Sequence, residues 1–101
     1  MTLYNVEKIT IGDHSVVSQN AYLCAGTHDH THISFPLIAS PITIDSECWI
    51  ATRAFIGPGV TIGHGAIVGV SSVVLSNVEP ASIVAGVPAR IIGIRKSKSD
   101  E

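Results

Sequence analysis

The chain of 101 residues is long enough for one domain, and its formal net charge of −2 gives no electrostatic reason to expect nucleic acid or an anionic membrane as a partner. Hydrophobic residues make up 46% of the chain and charged residues only 14%, compared with roughly 25% in an average soluble domain. No apolar segment approaches the ~20 residues of a membrane-spanning helix, which argues against membrane insertion. A small chain with so few charges is expected to bury further surface against copies of itself.

A six-residue repeat is the main structural signal. Aliphatic residues recur at this spacing in two segments, at Ile11, Val17 and Leu23 and then at Ile44, Ile50, Ile56, Ile62, Val68 and Val74. Small or short-branched residues stand four positions after each of them, at Ser15, Ala21, Thr27, Cys48, Ala54, Val60, Ala66, Ser72 and Val78. A period of six fits neither a helix nor simple strand alternation, but it fits a triangular coil of about 18 residues. The repeat therefore predicts an all-β fold, a left-handed parallel β-helix of about four coils, rather than a β-sandwich.

Two segments interrupt this pattern within the single predicted domain, residues 1–101. The stretch 29–41 contains Pro36 and Pro41 and few repeat matches, so we expect a loop that leaves the β-helix directly after His28. Such loops on a rigid scaffold often carry function. After residue 79 the repeat ends, and residues 80–101 are predicted to form a C-terminal cap followed by a solvated tail that begins at Arg95.

Three of the five histidines, His28, His30 and His32, alternate along five residues at the start of this loop. From the residues alone they are metal ligands, or one catalytic base with two neighbours, or a solvated polar loop. The two cysteines, Cys24 and Cys48, lack the spacing of a disulfide or metal motif and are expected to be structural. Their isolation, and an N-terminus without a signal-peptide pattern, favour the cytoplasm.

Three segments carry a resemblance to a known family. They are "GTHDHTHISFPLIASPITI", "CWIATRAFIGPGVTIGHGAIVGVSSVV" and "VAGVPARIIG". With the repeat, they resemble the hexapeptide-repeat acyltransferases over about residues 9 to 94, and most closely the colanic-acid and exopolysaccharide O-acetyltransferases, near the maltose and galactoside acetyltransferases. The family usually has further coils upstream, so the resemblance also implies a chain that is shortened at its N-terminus.

The resemblance implies an acetyl-CoA-dependent O-acetyltransferase. His28 matches the catalytic base of the family, and Asp29 or a backbone carbonyl is expected to orient its imidazole. A histidine suits this task because it can take the proton of a hydroxyl near neutral pH, and a thioester is reactive enough to need no acyl-enzyme. The acceptor would be a sugar or polysaccharide hydroxyl, and the sites would lie between the subunits of a homotrimer.

The resemblance also assigns the residues that would contact acetyl-CoA. Trp49 is expected beside the base and along the pantetheine arm, and Arg90 at the phosphates. The remaining expected contacts are Ala51, Thr52, Gly69 and Val70. The family's polar pair after the last hexad is replaced by Leu75 and Ser76, and a second basic residue by Gly93, so that Arg95 or Lys96 would have to substitute. No metal ion is expected.

Two other readings stay open. The γ-class carbonic anhydrases share this fold and bind zinc through three histidines, but their pairs five residues apart have no counterpart in the His28 cluster. A non-catalytic trimeric β-helix is the second alternative, favoured by the short N-terminus and by Leu75 and Ser76. His14 and His64 fall at outward positions of their hexads and are expected to be exposed.

Overall fold

The computed structural model describes residues 2–4, 7–28 and 37–96. In these ranges the chain forms short strands joined by tight turns. The strands are β1 (Thr2–Tyr4), β2 (Ile9–Ile11), β3 (Val16–Val17), β4 (Tyr22–Cys24), β5 (Gly26–His28), β6 (Leu37–Ala39), β7 (Ile42–Ile44), β8 (Trp49–Ile50), β9 (Phe55–Ile56), β10 (Thr61–Ile62), β11 (Ile67–Val68), β12 (Val73–Val74), β13 (Ser82–Gly86) and β14 (Ala89–Ile94). None of the described residues belongs to a helix that could cross a membrane.

Three sheets form the sides of a triangular β-helix. Sheet A has the strand order β1-β4-β9-β12, sheet B β10-β7-β2, and sheet C β14-β13-β11-β8-β3. The chain passes from B to C to A and then returns to B, one strand in each sheet. Parallel partners such as Thr43 with Thr61 and Trp49 with Ile67 are separated along the chain by three hexads, which is the coil length that the repeat predicts.

The corners between sheets are turns with one residue in the left-handed conformation. At the corner from B to C, the carbonyl of Gly63 accepts the N–H of Ala66 at 3.1 Å, and the third residue of that turn, Gly65, has a φ of 74°. A type II turn requires such a positive φ at its third position. Non-glycine residues adopt it at the equivalent positions, namely His14, Asn20, Glu47, Arg53, Ser71 and Ala81. The last residue of the turn is fully buried at Ala21, Ala54, Ala66 and Ser72, so the small-residue slot of the repeat is a corner slot.

The aliphatic slot of the repeat supplies the core. Buried members of one apolar cluster occupy it at Leu23, Ile44, Ile50, Ile56, Ile62, Val68 and Val74. Each such side chain contributes about 1.5–3 kcal/mol when it is taken out of water. Val17 is only partly buried and Ile11 is 38% exposed, because their strands β3 and β2 are the outermost strands of sheets C and B and lack a neighbour on one side.

The predicted excursion leaves the β-helix at the corner from A to B. Here β5 pairs antiparallel with β6, so residues 37–39 of the segment expected to be a loop form a returning strand. The chain returns to the β-helix at Ser40, whose N–H donates to the carbonyl of Ala25 at 2.9 Å. The next strand, β7, pairs with β2 across a stretch of chain much longer than one coil, because the excursion lies between them.

The last coil is shorter than the repeat predicts. Val78 pairs with Ile62 and Ile83 with Ile67, and both pairs are closer along the chain than three hexads. The assignment of Val78 to the corner slot is therefore wrong: it takes the aliphatic slot of a coil that has lost two residues. The side chain of Asn77 compensates, since its Oδ1 accepts the N–H of Thr61 at 2.8 Å.

An antiparallel hairpin closes sheet C. Strand β13 continues the parallel stack on β11, and β14 then pairs antiparallel with β13 and becomes the edge strand. Its side chains Ile91, Ile92 and Ile94 are exposed. The prediction that the solvated tail begins at Arg95 is wrong for that residue, because Arg95 is held by hydrogen bonds to the β-helix. Residues 97–101 lie outside the described residues.

Candidate active site

Trp49 stands on the outer face of sheet C. Its neighbour Ile50 fills the core, and alternation along β8 turns the indole outward, where it is 49% exposed. The indole Nε1 donates to Ser18 Oγ at 3.0 Å, and the backbone pairs with Val16 and Ile67 of the flanking strands. The ring is thus held by its polar edge while half of its surface stays available to a ligand.

A cleft of about 640 Å³ runs from Trp49 to the corner between sheets B and C. The titratable side chains that line it include His14, Glu47, His64, Arg95 and Lys96. His14 and His64 are exposed, as their hexad positions predict, but their gathering around Trp49 was missed. The sequence could have indicated part of this grouping. His14 and Glu47 each stand three residues after an aliphatic residue of the repeat, Ile11 and Ile44, so stacking of the coils places both at the same corner.

A column of small residues lies on the other side of Trp49, at the corner from C to A. Ala51 stacks on Gly69, since the N–H of Ala51 donates to the carbonyl of Val68 at 2.9 Å. Thr52 accepts at its carbonyl from the N–H of Ser71 at 2.9 Å, and Val70 is 63% exposed. The structure therefore brings four of the predicted cofactor contacts together next to Trp49.

Arg90 lies at the C-terminal end of the β-helix. Its exposed side chain lines a groove of about 200 Å³ that also contains Leu75 and Ser76. The guanidinium donates through Nη1 to the carbonyl of its neighbour Ala89 at 3.0 Å. Arg90 is the only cation among the described residues that line this groove. Arg95 and Lys96, either of which was expected as a second phosphate contact, both line the other cleft instead, and Arg95 donates to backbone carbonyls there.

His28 ends β5, at the corner from A to B. It therefore leaves the β-helix at a different edge from Trp49, which begins the strand in sheet C. Asp29, His30 and His32 lie outside the described residues. The structure thus brings four of the expected acetyl-CoA contacts together beside Trp49, whereas Arg90 lies in a separate groove and the backbone of His28 lies at another edge of the same copy.

The cysteines differ in environment. Cys48 is 2% exposed in a corner slot, and its Sγ donates to the carbonyl of Gly63 at 3.1 Å. Burial is the main cause that raises the pKa of this thiol above its ordinary value of 9.0. Cys24 is half-buried, and both are free thiols. Among the described residues no three His, Cys, Asp or Glu side chains are grouped as metal ligands would be.

No family model matches the chain, but individual proteins do. This chain is 50% identical over 92 residues to the putative colanic acid biosynthesis acetyltransferase WcaF of Escherichia coli K12, and the match covers 91% of this chain and 50% of that protein. A galactoside acetyltransferase in complex with coenzyme A superimposes with a TM-score of 0.88 at 31% identity, covering 98% and 51%. AntD, an N-acyltransferase from Bacillus cereus solved with dTDP and 3-hydroxybutyryl-CoA, gives 0.87 at 26% identity, covering 97% and 58%.

These findings define the chain first as a left-handed parallel β-helix built of hexapeptide repeats, the fold that the sequence predicts. They also confirm its resemblance to the hexapeptide-repeat acyltransferase family, including the colanic-acid and galactoside branches. The chain spans about half the length of the curated relatives it matches.

Proposed function

We propose that this chain is an acetyl-CoA-dependent O-acetyltransferase that acts on a sugar or polysaccharide hydroxyl. The observation that carries the proposal is the column of small residues at the C-to-A corner beside the half-exposed indole of Trp49. It occurs in a β-helix whose solved neighbours hold coenzyme A or an acyl-CoA, and whose relatives are named acetyltransferases of colanic acid and galactosides.

The residues of the corner fit an acetyl-CoA arm. Ala51 and Gly69 carry little or no side chain, so a linear pantetheine chain can approach the backbone closely. A β-carbon on Gly69 would come within 3.1 Å of Ala85 Cβ, which shows how tightly the coils stack here. Thr52 offers a hydroxyl beside this path, and the exposed guanidinium of Arg90 suits the phosphates. Acetyl-CoA would supply the activated thioester.

His28 is the proposed base. Its imidazole takes the proton of the acceptor hydroxyl while the oxygen attacks the acetyl carbonyl, and the proton then passes to the departing CoA thiolate. Asp29 is the proposed partner that orients the ring. No acyl-enzyme is needed, because the thioester already carries a good leaving group.

The site is completed between copies in a homotrimer. The chain leaves the β-helix after His28 at the A-to-B corner, whereas Trp49 lies in sheet C. We therefore propose that the His28 of one copy meets the Trp49 of a neighbouring copy. A cyclic trimer joins two different surfaces of each copy, and the pair proposed here is sheet A of one copy against sheet C of the next. The cytoplasm, where acetyl-CoA is available, is the proposed location.

The test combines calorimetry with turnover. We expect the wild-type protein to bind about one acetyl-CoA per chain and to acetylate a hydroxyl among a panel of sugars. His28→Ala should lose at least ~100-fold in turnover, the lower range for general base catalysis, with acetyl-CoA affinity almost unchanged. The matched control is His32→Ala, which removes a histidine of the same cluster.

Each outcome is informative. Full turnover by His28→Ala would remove this residue from the mechanism. Absence of binding at millimolar acetyl-CoA by an intact trimer would reject the transferase and favour a non-catalytic β-helix protein.

A further inference from the structure

Arg95, directly after β14, contacts the same corner of the β-helix in three successive coils. Its backbone N–H donates to the carbonyl of Ala81 at 2.7 Å. Its guanidinium Nη1 donates to the carbonyls of Gly65 at 3.2 Å and Glu47 at 2.6 Å. Hydrogen bonds from a charged donor are roughly twice as strong as neutral ones. We call this arrangement the Arg95 clasp.

The three acceptors are equivalent residues of the repeat. Glu47, Gly65 and Ala81 are the left-handed residues of the B-to-C corner, with φ values of 61°, 74° and 60°. Their N–H groups donate to the preceding coil, to the carbonyls of Asp13, Ser46 and His64 respectively. Their carbonyls therefore stack in a column along the corner, and one extended side chain can reach two of them.

The clasp also forms part of the cleft that contains Trp49. Glu47, which accepts the shortest of the three bonds, is two residues before Trp49, and Arg95 and Trp49 line the same cleft of about 640 Å³. The strand that carries the indole begins directly after this corner. Movement of the corner would therefore change both the width of the cleft and the surroundings of the indole.

We propose that Arg95 is a positioning residue, which fixes the Glu47 corner and thereby holds Trp49 at the geometry that an acetyl-CoA arm requires. The role of this geometry in binding acetyl-CoA rests on the proposed function, whereas the control of Trp49 by Arg95 does not. Arg95 acts through backbone carbonyls and Trp49, and it is not assigned a contact with either substrate.

The experiment uses Trp49 as its own reporter, because it is the single tryptophan of the chain. The variant Arg95→Met removes both guanidinium bonds and keeps an unbranched apolar stem. Lys96→Met is the matched control, since it removes a neighbouring cation of the same cleft. Arg95→Lys restores a charged donor. Emission maximum, acrylamide quenching and acetyl-CoA affinity are measured well below the melting temperature of each protein.

We expect Arg95→Met to shift the Trp49 emission and raise its quenching constant. Its Kd for acetyl-CoA should rise about tenfold, equivalent to about 1.4 kcal/mol. Arg95→Lys should recover part of both effects, and Lys96→Met should resemble the wild type. If Arg95→Met does not fold, Arg95→Gln takes its place.

A variant that melts at a lower temperature but keeps wild-type emission, quenching and affinity would overturn the proposal, because Arg95 would then only stabilise the fold. An equal effect of Lys96→Met would also overturn it, since charge alone would explain the result. If the wild type fails to bind acetyl-CoA, the transferase function fails, and the fluorescence comparison without nucleotide still decides whether Arg95 positions Trp49.

Discussion

Cys48 shows how a position in the repeat determines the chemistry of a side chain. Its corner slot admits only a small side chain, and the hexad predicts both its burial and its structural role. The neutral thiol donates to the carbonyl of Gly63 and is cut off from water. A thiolate in the same place would lose its hydration, which is why the pKa is raised.

The raised pKa makes stability depend on pH. Above pH 9 the unfolded chain loses the Cys48 proton while the folded chain keeps it, so the unfolded state binds fewer protons and the free energy of unfolding falls. We expect this loss to approach at most about 1.4 kcal/mol per pH unit until the folded thiol also titrates. Urea unfolding at pH 7 to 10 measures it against Cys48→Ala, which removes this thiol and leaves the rest of the chain unchanged. Equal pH slopes in the two proteins would refute the expectation.

Arg95 illustrates what the sequence could not reveal at this scale. The pattern of the tail, with alternating basic and serine residues, is typical of a solvated end. The bonds of Arg95 depend on three backbone carbonyls that the coiling of the chain brings together, and the most distant of them, Glu47, lies 48 residues before Arg95. Every residue has a backbone carbonyl, so the sequence does not indicate which of them accept a hydrogen bond, and the Arg95 clasp could not be predicted from it.

At the scale of the coil, the close approach of successive corners is the limiting feature. A β-carbon on Gly63 would lie 2.5 Å from Pro80 N and 2.9 Å from the carbonyl carbon of Glu79. Real β-carbons do not approach backbone atoms so closely, and the next coil would have to move. Gly65 in the same turn has room for a side chain, since no atom lies within 4 Å of its β-carbon position, but its φ of 74° is one that other residues rarely adopt.

Gly63→Ala should therefore lower the free energy of unfolding by about 3 kcal/mol or more, the upper range for overpacking. Gly65→Ala is the control within the same turn, and it should cost about 1 kcal/mol, because only the backbone conformation is strained. Ala81 adopts the same conformation one coil further on, with a φ of 60°. Urea unfolding of both variants checks the difference, and similar costs would show that the coils separate easily.

The repeat predicted the coils well where strands pair at the spacing of three hexads and failed where they do not. Val78 satisfies both slots of the repeat, because valine is small enough for a corner and apolar enough for the core. Two tertiary interactions place Val78 in the aliphatic slot. They are its β-bridge to Ile62 and the hydrogen bond from the N–H of Thr61 to the side-chain carboxamide of Asn77. The hexad count alone cannot detect the two missing residues.

For the whole molecule, the three outer faces differ in polarity. Sheet B presents a column of threonines, Thr10, Thr43 and Thr61, all exposed. Sheet C presents Val16, Trp49, Ile67 and Ile83, and sheet A presents Tyr22, Phe55 and Val73. A cyclic trimer needs two different surfaces of each copy, and apolar faces on A and C with a polar face on B satisfy that need.

The proposed trimer thus predicts different effects of one substitution on two faces. Phe55 is half-buried and its ring stacks on Tyr22 with centroids 5.7 Å apart. Phe55→Lys should dissociate the assembly, because a charge on sheet A would be buried against the next copy without a partner. Thr43→Lys, on sheet B, should leave the trimer intact, since lysine there stays in water. Light scattering after size-exclusion chromatography gives the mass, and circular dichroism confirms that each variant is folded. A folded Phe55→Lys trimer, or dissociation by Thr43→Lys, would mean that the copies meet through other faces, and His28 would then need another route to Trp49.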